Sequence, residues 1–326
     1  MAYTDEFIKK GRFTEDDMWM RDNLICECVM GSQAYGVANK ESDIDIVGIV
    51  MNPHMELFPQ NYKFVRGFDN PPIFTNKEYK HDGKIVLDNG IDCEGEWHTL
   101  CDFFHLAGIK GSPNLLETLF VRRPLVSHHD NKNITWRLRD NRRIFLSMKN
   151  FLGLKGYANG QLMRMKRGVD RWNREHTCDN SRRRGYFEKY GYDVKMAYHP
   201  LRLLDNLHQI ITTNDIDLMR NKDECQRMRA GAWGTFEEFD KYVTGKLKTL
   251  EELSMKSNKL SIEPQFQALK QLLLECIEDW YGSGEAYQQA QDEYASVKEL
   301  RVHLNRIEKK VDSLDKVKFG DGKWAE

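Results

Sequence analysis

The sequence predicts an α/β front third followed by a helical remainder. Three observations carry that expectation. Residues 24–51 read as strand, tight turn and strand; apolar spacing from about Thr135 onward is helical; and residues 297–314 hold apolar side chains at alternating spacings of three and four. Of the 326 residues, 40% are hydrophobic and 11% aromatic, which excludes a disordered chain. That length predicts about two domains with a sizeable core.

The elements follow in order. Leu24 to Met30 is apolar and β-prone, Gly31-Ser32-Gln33-Ala34-Tyr35-Gly36 is a turn bounded by glycines, and Ile44 to Met51 is a nearly continuous apolar run. Such a run is expected of a strand buried on both faces, in a sheet covered by helices. Residues 52–90 hold Pro53, Pro59, Pro71 and Pro72 and alternate only weakly, which predicts loops and short β segments. Ile91 to Thr99 reads as a strand, and Leu100, Phe103, Phe104 and Leu106 begin a helix. Ser112-Pro113 is the cap and first turn of another helix, with Leu115, Leu116 and Leu119 on its face. Phe145, Met148, Phe151 and Leu152 mark one helix or a pair, and Tyr198, Leu201, Leu204, Leu207 and Ile211 mark the next. Residues 265–280 form a long helix with Phe266, Leu269, Leu272, Leu273, Cys276 and Ile277 as its stripe. In the tail, Val297, Leu300, Leu304, Ile307, Val311 and Leu314 fall on a and d positions of heptads. They predict either a homo-oligomer joined through a coiled coil or a single helix lying against its own body.

The opening Met-Ala-Tyr-Thr-Asp-Glu-Phe-Ile-Lys-Lys has no apolar run after a basic stretch, and no window approaches 18 uncharged apolar residues. Neither a secretory signal nor a membrane span is expected, and the predicted location is the cytoplasm. The seven cysteines (26, 28, 93, 101, 178, 225 and 276) form no Cys-x-x-Cys and no zinc spacing with histidine, so free, mostly buried thiols are expected. His128-His129 reads as a surface pair in a polar loop.

A formal net charge of -1 hides an asymmetry. Residues 1–60 sum to -6, with 11 acidic and 5 basic side chains, whereas residues 134–190 sum to +10, with 15 basic and 5 acidic. The basic segment is interleaved with Phe151, Tyr157, Trp172, Tyr186 and Tyr190, a pattern that suits phosphate contacts and stacking on unpaired bases. A solvated helix face would give the same charge run.

The sharpest signal is Gly31-Ser32, ten residues, then Asp43-Ile44-Asp45-Ile46. Alternation puts Asp43 and Asp45 on one face of a strand and Ile44 and Ile46 on the other. Two such carboxylates can bridge two magnesium ions about 4 Å apart, the geometry that aligns a hydroxyl with a phosphoryl group. Gly31 lets the backbone approach a polyphosphate, and Ser32 offers a hydroxyl and an amide donor. Further along, Tyr157, Gln161 and Arg164 are spaced i, i+4, i+7 on one helix face, and Lys195, His199 and Arg202 repeat that spacing. Rings, amides and cations so arranged could hold triphosphate, base and acceptor phosphates.

Gly-Ser-x-Ala-Tyr-Gly followed by Ser-Asp-Ile-Asp resembles the DNA polymerase β-type nucleotidyltransferase superfamily. A closer likeness is to the bacterial and phage nucleotidyltransferases associated with RNA ligases and RNA repair. Gly111-Ser112-Pro113-Asn114-Leu115-Leu116-Glu117-Thr118-Leu119-Phe120 resembles that family's Gly-Asn-Pro-x-x-x-Glu-x-Leu-Phe segment. Gly156-Tyr157-Ala158 with Gln161, and Tyr192-Asp193-x-Lys195-x-Ala197-x-His199-x-x-Arg202-Leu203, are similar to its later blocks. The likeness spans roughly residues 24 to 280. Pro200 and Ser112 depart from the pattern, and Pro200 threatens the Lys195–His199–Arg202 alignment because proline removes a helix hydrogen bond.

The resemblance implies a small mixed sheet with helices in a catalytic domain over 1–125 and a basic nucleotide- and RNA-binding helical domain over 126–284; the heptad helix, which the resemblance does not cover, takes 285–326. It implies a metal-dependent nucleotidyltransferase that moves a nucleoside monophosphate from an NTP to an acceptor hydroxyl, an RNA 3′ end, in a bacterial or phage-infected cell and beside RNA-ligase repair partners. Asp43 and Asp45 would hold magnesium or manganese with a third carboxylate, for which the spacing to Leu100 favours Glu94, then Glu96, then Asp92. That third acid can take the acceptor's proton. Two other readings stay open: a protein AMP-transferase of antitoxin-like type or a small-molecule nucleotidyltransferase, and an RNA-binding module that has lost catalysis.

Overall fold

The computed structural model describes residues 2–14, 17–40, 42–52 and 80–282. The heptad segment and most of residues 52–79 lie outside them. A five-stranded mixed sheet runs in the order β3-β4-β2-β1-β5, built from β1 (Leu24–Val29), β2 (Ile44–Val50), β3 (Lys80–Val86), β4 (Asp92–Thr99) and β5 (Leu125–Val126). β2 and β4 are parallel, and the other neighbours are antiparallel. From Ile46 to Val50 every residue of β2 is buried, as its unbroken apolar run requires of a central strand covered on both sides.

Two layers do the covering. On one face lie α1 (Tyr3–Lys9) and α2 (Trp19–Asp22), whose Phe7 and Met20, together with Phe13, pack on Ile46, Val50, Cys93 and Trp97. Gly48 and Gly95 are the space occupied by the Trp97 ring, which a Cβ at either position would overlap. Trp97 Nε1 donates to Thr4 Oγ1 at 2.8 Å, and Thr4 donates its N–H and hydroxyl to the fully buried Glu27, each at 2.7 Å. That buried carboxylate pins α1 to β1, and burial raises its pKa above the usual range.

The second layer is the helical body. It begins with α4 (Leu100–Phe103), which runs on as a π-helical turn over Phe104–Ile109, and with α5 (Pro113–Thr118). α6 (Ile134–Asp140), the 28-residue α7 (Met148–Glu175), α8 (Arg184–Tyr190), α9 (Val194–Thr213), α10 (Lys222–Arg229), α11 (Phe236–Ser254) and α12 (Phe266–Tyr281) follow. Ser147 and Asn150 form a capping box that fixes the start of α7. α9 passes through Pro200 as one helix, and its Tyr198, Leu201, Leu204, Leu207 and Ile211 are all buried. Leu152 is a correction to the sequence reading, since it is 55% exposed and only Phe151 beside it enters the core. One core joins Val47 and Ile49 of the sheet to Leu269 and Ile277 of α12, and β5 spans the boundary expected between residues 125 and 126.

All seven cysteines are free, and only Cys178 is not buried. No helix among the described residues is long and apolar enough to cross a membrane.

Candidate active site

The turn leaving β1 sets the geometry. Met30 is still extended and donates its N–H to the Asp45 carbonyl at 2.7 Å, which fastens the turn to β2. Gly31 then takes φ of +58°, a left-handed backbone that side chains disfavour. A Cβ there would overlap the Asp45 carboxylate. The position therefore needs glycine twice over, once for its backbone and once for the room it leaves. The helical turn α3 (Gly31–Ala34) follows and is closed by the Val37 N–H, which donates to the Ser32 carbonyl at 3.0 Å. Ahead of β2, Asn39 N–H donates to Ser42 Oγ at 2.9 Å and Ser42 Oγ to Asn39 Oδ1 at 2.8 Å, fixing the chain that delivers Asp43.

Asp43 is exposed and Asp45 half-buried. In the parallel β2–β4 ladder Asp45 lies opposite Glu94 and Val47 opposite Glu96, so carboxylates from both strands share a face. Burial raises the pKa of Asp45, and the charges of Glu94 and Asp43 raise it further, while Lys84 and Lys195 act against them. Such a cluster favours a cation beside it. Glu94 pairs with Lys84 of β3, and His98 Nε2 lies 2.8 Å from Glu96 Oε1. No three His, Cys, Asp or Glu side chains converge closely enough to hold a metal ion among the described residues. The donors on offer are nevertheless all carboxylate oxygens, the ligand chemistry of a hard divalent cation.

Asp45, Lys84, Glu94 and Glu96 line a cavity of about 580 Å³. The sheet and its turn contribute Gly31, Tyr35, Asp45, Asp82, Lys84, Glu94 and Glu96, and the helical body contributes Asn114, Tyr157, His199 and Arg202. Burial, and then the charges of Arg202, Arg183, Arg229 and Lys195, hold the His199 pKa well below its usual value, so the ring is neutral at pH 7. Its Nδ1 is buried and has no hydrogen-bond partner among the described residues. Arg202 is 4% exposed. Burial opposes its charge, but Glu117, Tyr35 and Tyr198 outweigh that and keep the guanidinium ionised.

Of the residues expected from sequence, Gly31, Asp45, Glu94, Glu96, Tyr157, His199 and Arg202 meet at this cavity. Asp43 and Lys195 are outside its lining but act electrostatically on Asp45. Ser32 is half-buried in the turn, Asp92 is exposed, Gln161 is buried at 6% exposure, and Arg164 is exposed; none of them lines the cavity. Sequence reasoning missed Tyr35, Asn114, Glu117, Asp82 and Lys84. Tyr35, Asn114 and Glu117 stood inside the quoted motifs without a role, and Asp82 and Lys84 alternate on a strand read only as a short β segment.

The basic segment has a different character. Nine of its 15 basic side chains form ion pairs among the described residues, several with acids from outside it: Arg142 and Arg143 with Asp215, Arg137 with Asp279, Lys155 with Glu251 and Arg183 with Asp193. Of its aromatics, Phe151 is core, and Tyr157, Trp172, Tyr186 and Tyr190 pack against the core.

No functionally curated protein matches the sequence. Among solved structures, a nucleotidyltransferase-like protein from Exiguobacterium sibiricum 255-15 aligns over 93% of this chain and 91% of its own, at 9% identity and a TM-score of 0.27, a likeness too distant to bear on function. The family comparison is direct: residues 13–302 match the RNA repair pathway DNA polymerase beta family, across both the carboxylate strands and the helices that complete the cavity. The chain belongs to that family and is a polymerase β-like nucleotidyltransferase of an RNA repair pathway.

Proposed function

We propose that this chain transfers a nucleoside monophosphate from an NTP to an acceptor hydroxyl, with an RNA 3′ end as the acceptor. The observation that carries the reading is Asp45 lying opposite Glu94 on parallel strands, in a cavity that also receives His199 and Arg202 from the helical body. Asp43 and Asp45, joined by Glu94 once it is released from Lys84, would hold magnesium or manganese. When bound, such a cation supplies positive charge to phosphate oxygens and lowers the pKa of an attacking hydroxyl. The remaining work falls to the chain's own groups. The glycine turn allows the backbone close to a polyphosphate, and Arg202 offers planar donors to its oxygens. Tyr157 offers a ring face for a base, and neutral His199 can donate or accept one hydrogen bond. In the transfer, a bond forms between the acceptor oxygen and the α-phosphorus, the bond from that phosphorus to the bridging oxygen breaks, and pyrophosphate leaves. The hydroxyl proton passes to a carboxylate, for which Glu94 is the first candidate. The family's RNA repair context supports RNA as acceptor.

One observation favours a second acceptor class. Much of the charge on residues 134–190 is already paired within the chain, which weakens the electrostatic case for a polyanion. A protein or small-molecule hydroxyl is the alternative. Incubation of the full chain with each of the four labelled NTPs, a divalent cation, and separate RNA, protein and small-molecule acceptors decides between them. Label on RNA that is lost in Asp45→Asn supports the proposal, label only on protein or a small molecule replaces the acceptor, and no transfer under any condition leaves an RNA-binding module.

A further inference from the structure

Behind the cavity is a buried polar cluster that the transfer chemistry does not itself require. Glu117, on α5, is fully buried. Its Oε1 accepts from Arg202 Nη1 and, at 2.8 Å, from Asn206 Nδ2, and its Oε2 accepts from the Tyr35 hydroxyl at 2.6 Å. The Arg202 guanidinium carbon stands 3.9 Å from the centroid of the Tyr35 ring. Tyr35 is the residue that ends the Gly31–Ala34 turn, and Arg202 and Asn206 are one turn apart on α9. A single carboxylate thus joins three parts of the chain: the glycine turn, α5 and α9.

Two facts argue against a role in stability alone. A buried ion pair is a poor way to stabilise a fold, because desolvation offsets most of the attraction and apolar side chains do as well. In addition, the pair is not sealed off: Tyr35 and Arg202 both line the cavity, and Arg202 Nε is buried with no hydrogen-bond partner among the described residues. Asn114, one turn before Glu117 on α5, lines it too. A guanidinium held on one side by a carboxylate and from below by a ring keeps its remaining donors in fixed directions, the preorganisation that electrostatic binding of a charged group needs.

We infer that Glu117 is a positioning residue: it locks the glycine turn and the Arg202 guanidinium into one rigid cradle for the triphosphate of the incoming nucleotide. This rests on the nucleotidyltransferase reading above and adds to it a residue that touches no substrate. Glu117 acts through Arg202 and Tyr35, so its removal weakens triphosphate binding more than it slows the chemical step.

The test uses the full chain, with a non-hydrolysable NTP analogue for binding and labelled NTP for transfer. Glu117→Gln keeps the shape and an acceptor oxygen but removes the charge. The expected result is a rise in KM for NTP, and in Kd for the analogue, of about tenfold, with kcat changed much less. Binding of the matching nucleoside, which has no phosphates, should not change. Tyr35→Phe removes one hydrogen bond and leaves the ring, and should shift KM in the same direction by a smaller factor; it decides the matter if Glu117→Gln does not fold. In the Arg202→Lys background, Glu117→Gln should add nothing further to KM. A purely structural role would lower the melting temperature and the active fraction without this selectivity for phosphate. Unchanged KM in both variants, an equal loss of nucleoside binding, or additivity with Arg202→Lys would each overturn the inference. Asp45→Asn separates the two levels: if it abolishes transfer while Glu117→Gln leaves KM alone, only the cradle fails, and if it retains full transfer, the nucleotidyltransferase reading of the site fails with it.

Discussion

The molecule carries two concentrations of charge, and they are handled in opposite ways. On residues 134–190 the basic side chains are distributed among acids of other elements, as Arg142 and Arg143 are on Asp215, so a segment sum of +10 overstates the field it projects. At the cavity, like charges are kept together. Asp45 feels burial and then Glu94 and Asp43, and His199 feels burial and then four cations. Lys84 and Lys195 relieve Asp45 only in part, and a cluster of like charge kept in a cavity marks where a ligand of complementary charge is expected. Much of the basic segment's charge is spread among acids of other elements, whereas Asp45 stays among acids.

The largest expected effect breaks or upholds the cavity side of this contrast. Asp45→Asn should lower transfer by at least about a hundredfold, read as labelled nucleotide moved per minute at saturating divalent cation. The same substitution should not lower, and should tend to raise, the melting temperature of the metal-free protein. Asp45 has a folded-state pKa above its ordinary value, so its contribution to stability is present at acid pH, below the usual carboxylate range, and is lost as pH rises through the raised value. Acidification across that window should therefore narrow the difference in melting temperature between Asp45→Asn and wild type, because only wild type gains this component. Magnesium should raise the melting temperature of wild type and not of the variant; an equal rise in both would remove Asp45 from the cation site.

Next in size is Gly31→Ala, which places a side chain on a left-handed backbone and into the Asp45 carboxylate. It should cost at least about 1 kcal/mol of stability in a denaturant melt and most of the transfer activity. Stability and activity both at wild-type level would mean that the turn is looser than its geometry implies.

Glu94 and Glu96 sharpen the contrast further. Glu94 stands opposite Asp45 in the ladder, whereas Glu96 stands opposite Val47 and is engaged by His98. Glu94→Gln should therefore reduce kcat by about tenfold more than Glu96→Gln does, and the reverse order would transfer the third-carboxylate role to Glu96. The smallest effect belongs to the basic segment. Replacing exposed Arg164 and Arg167 with glutamine should reduce the slope of log affinity for single-stranded RNA against log salt by about 0.7 for each phosphate that is no longer neutralised. Arg143→Gln, at a residue already committed to Asp215, should leave the slope unchanged.

The carboxylates were legible in the sequence because a strand's period of two is local: Asp43 and Asp45 must share a face wherever the strand runs. Glu94 became a candidate only through likeness to a family, since nothing local says which strand will lie beside β2. The fold supplies that neighbour, since the parallel register sets Asp45 against Glu94. Pro200 looked like a threat to the Lys195–His199–Arg202 face, yet the helix continues through it because α9 is packed along most of its length. Arg164 shows the opposite failure. Helical spacing aligned it with Tyr157, but seven residues is about 10 Å along a helix axis, enough to carry it past the cavity.

By itself the sequence determined what local rules govern: the buried central strand, the glycine turn, the paired aspartates and the long amphipathic helices. Only the tertiary structure decided what depends on distant parts of the chain meeting. It joined Glu117 to Tyr35 and Arg202, brought Lys84 to Glu94, and consumed much of the basic segment in ion pairs. Periodicity is a property of neighbours along the chain, whereas the net field at a point and the partner of a buried charge are sums over every residue that the fold brings near.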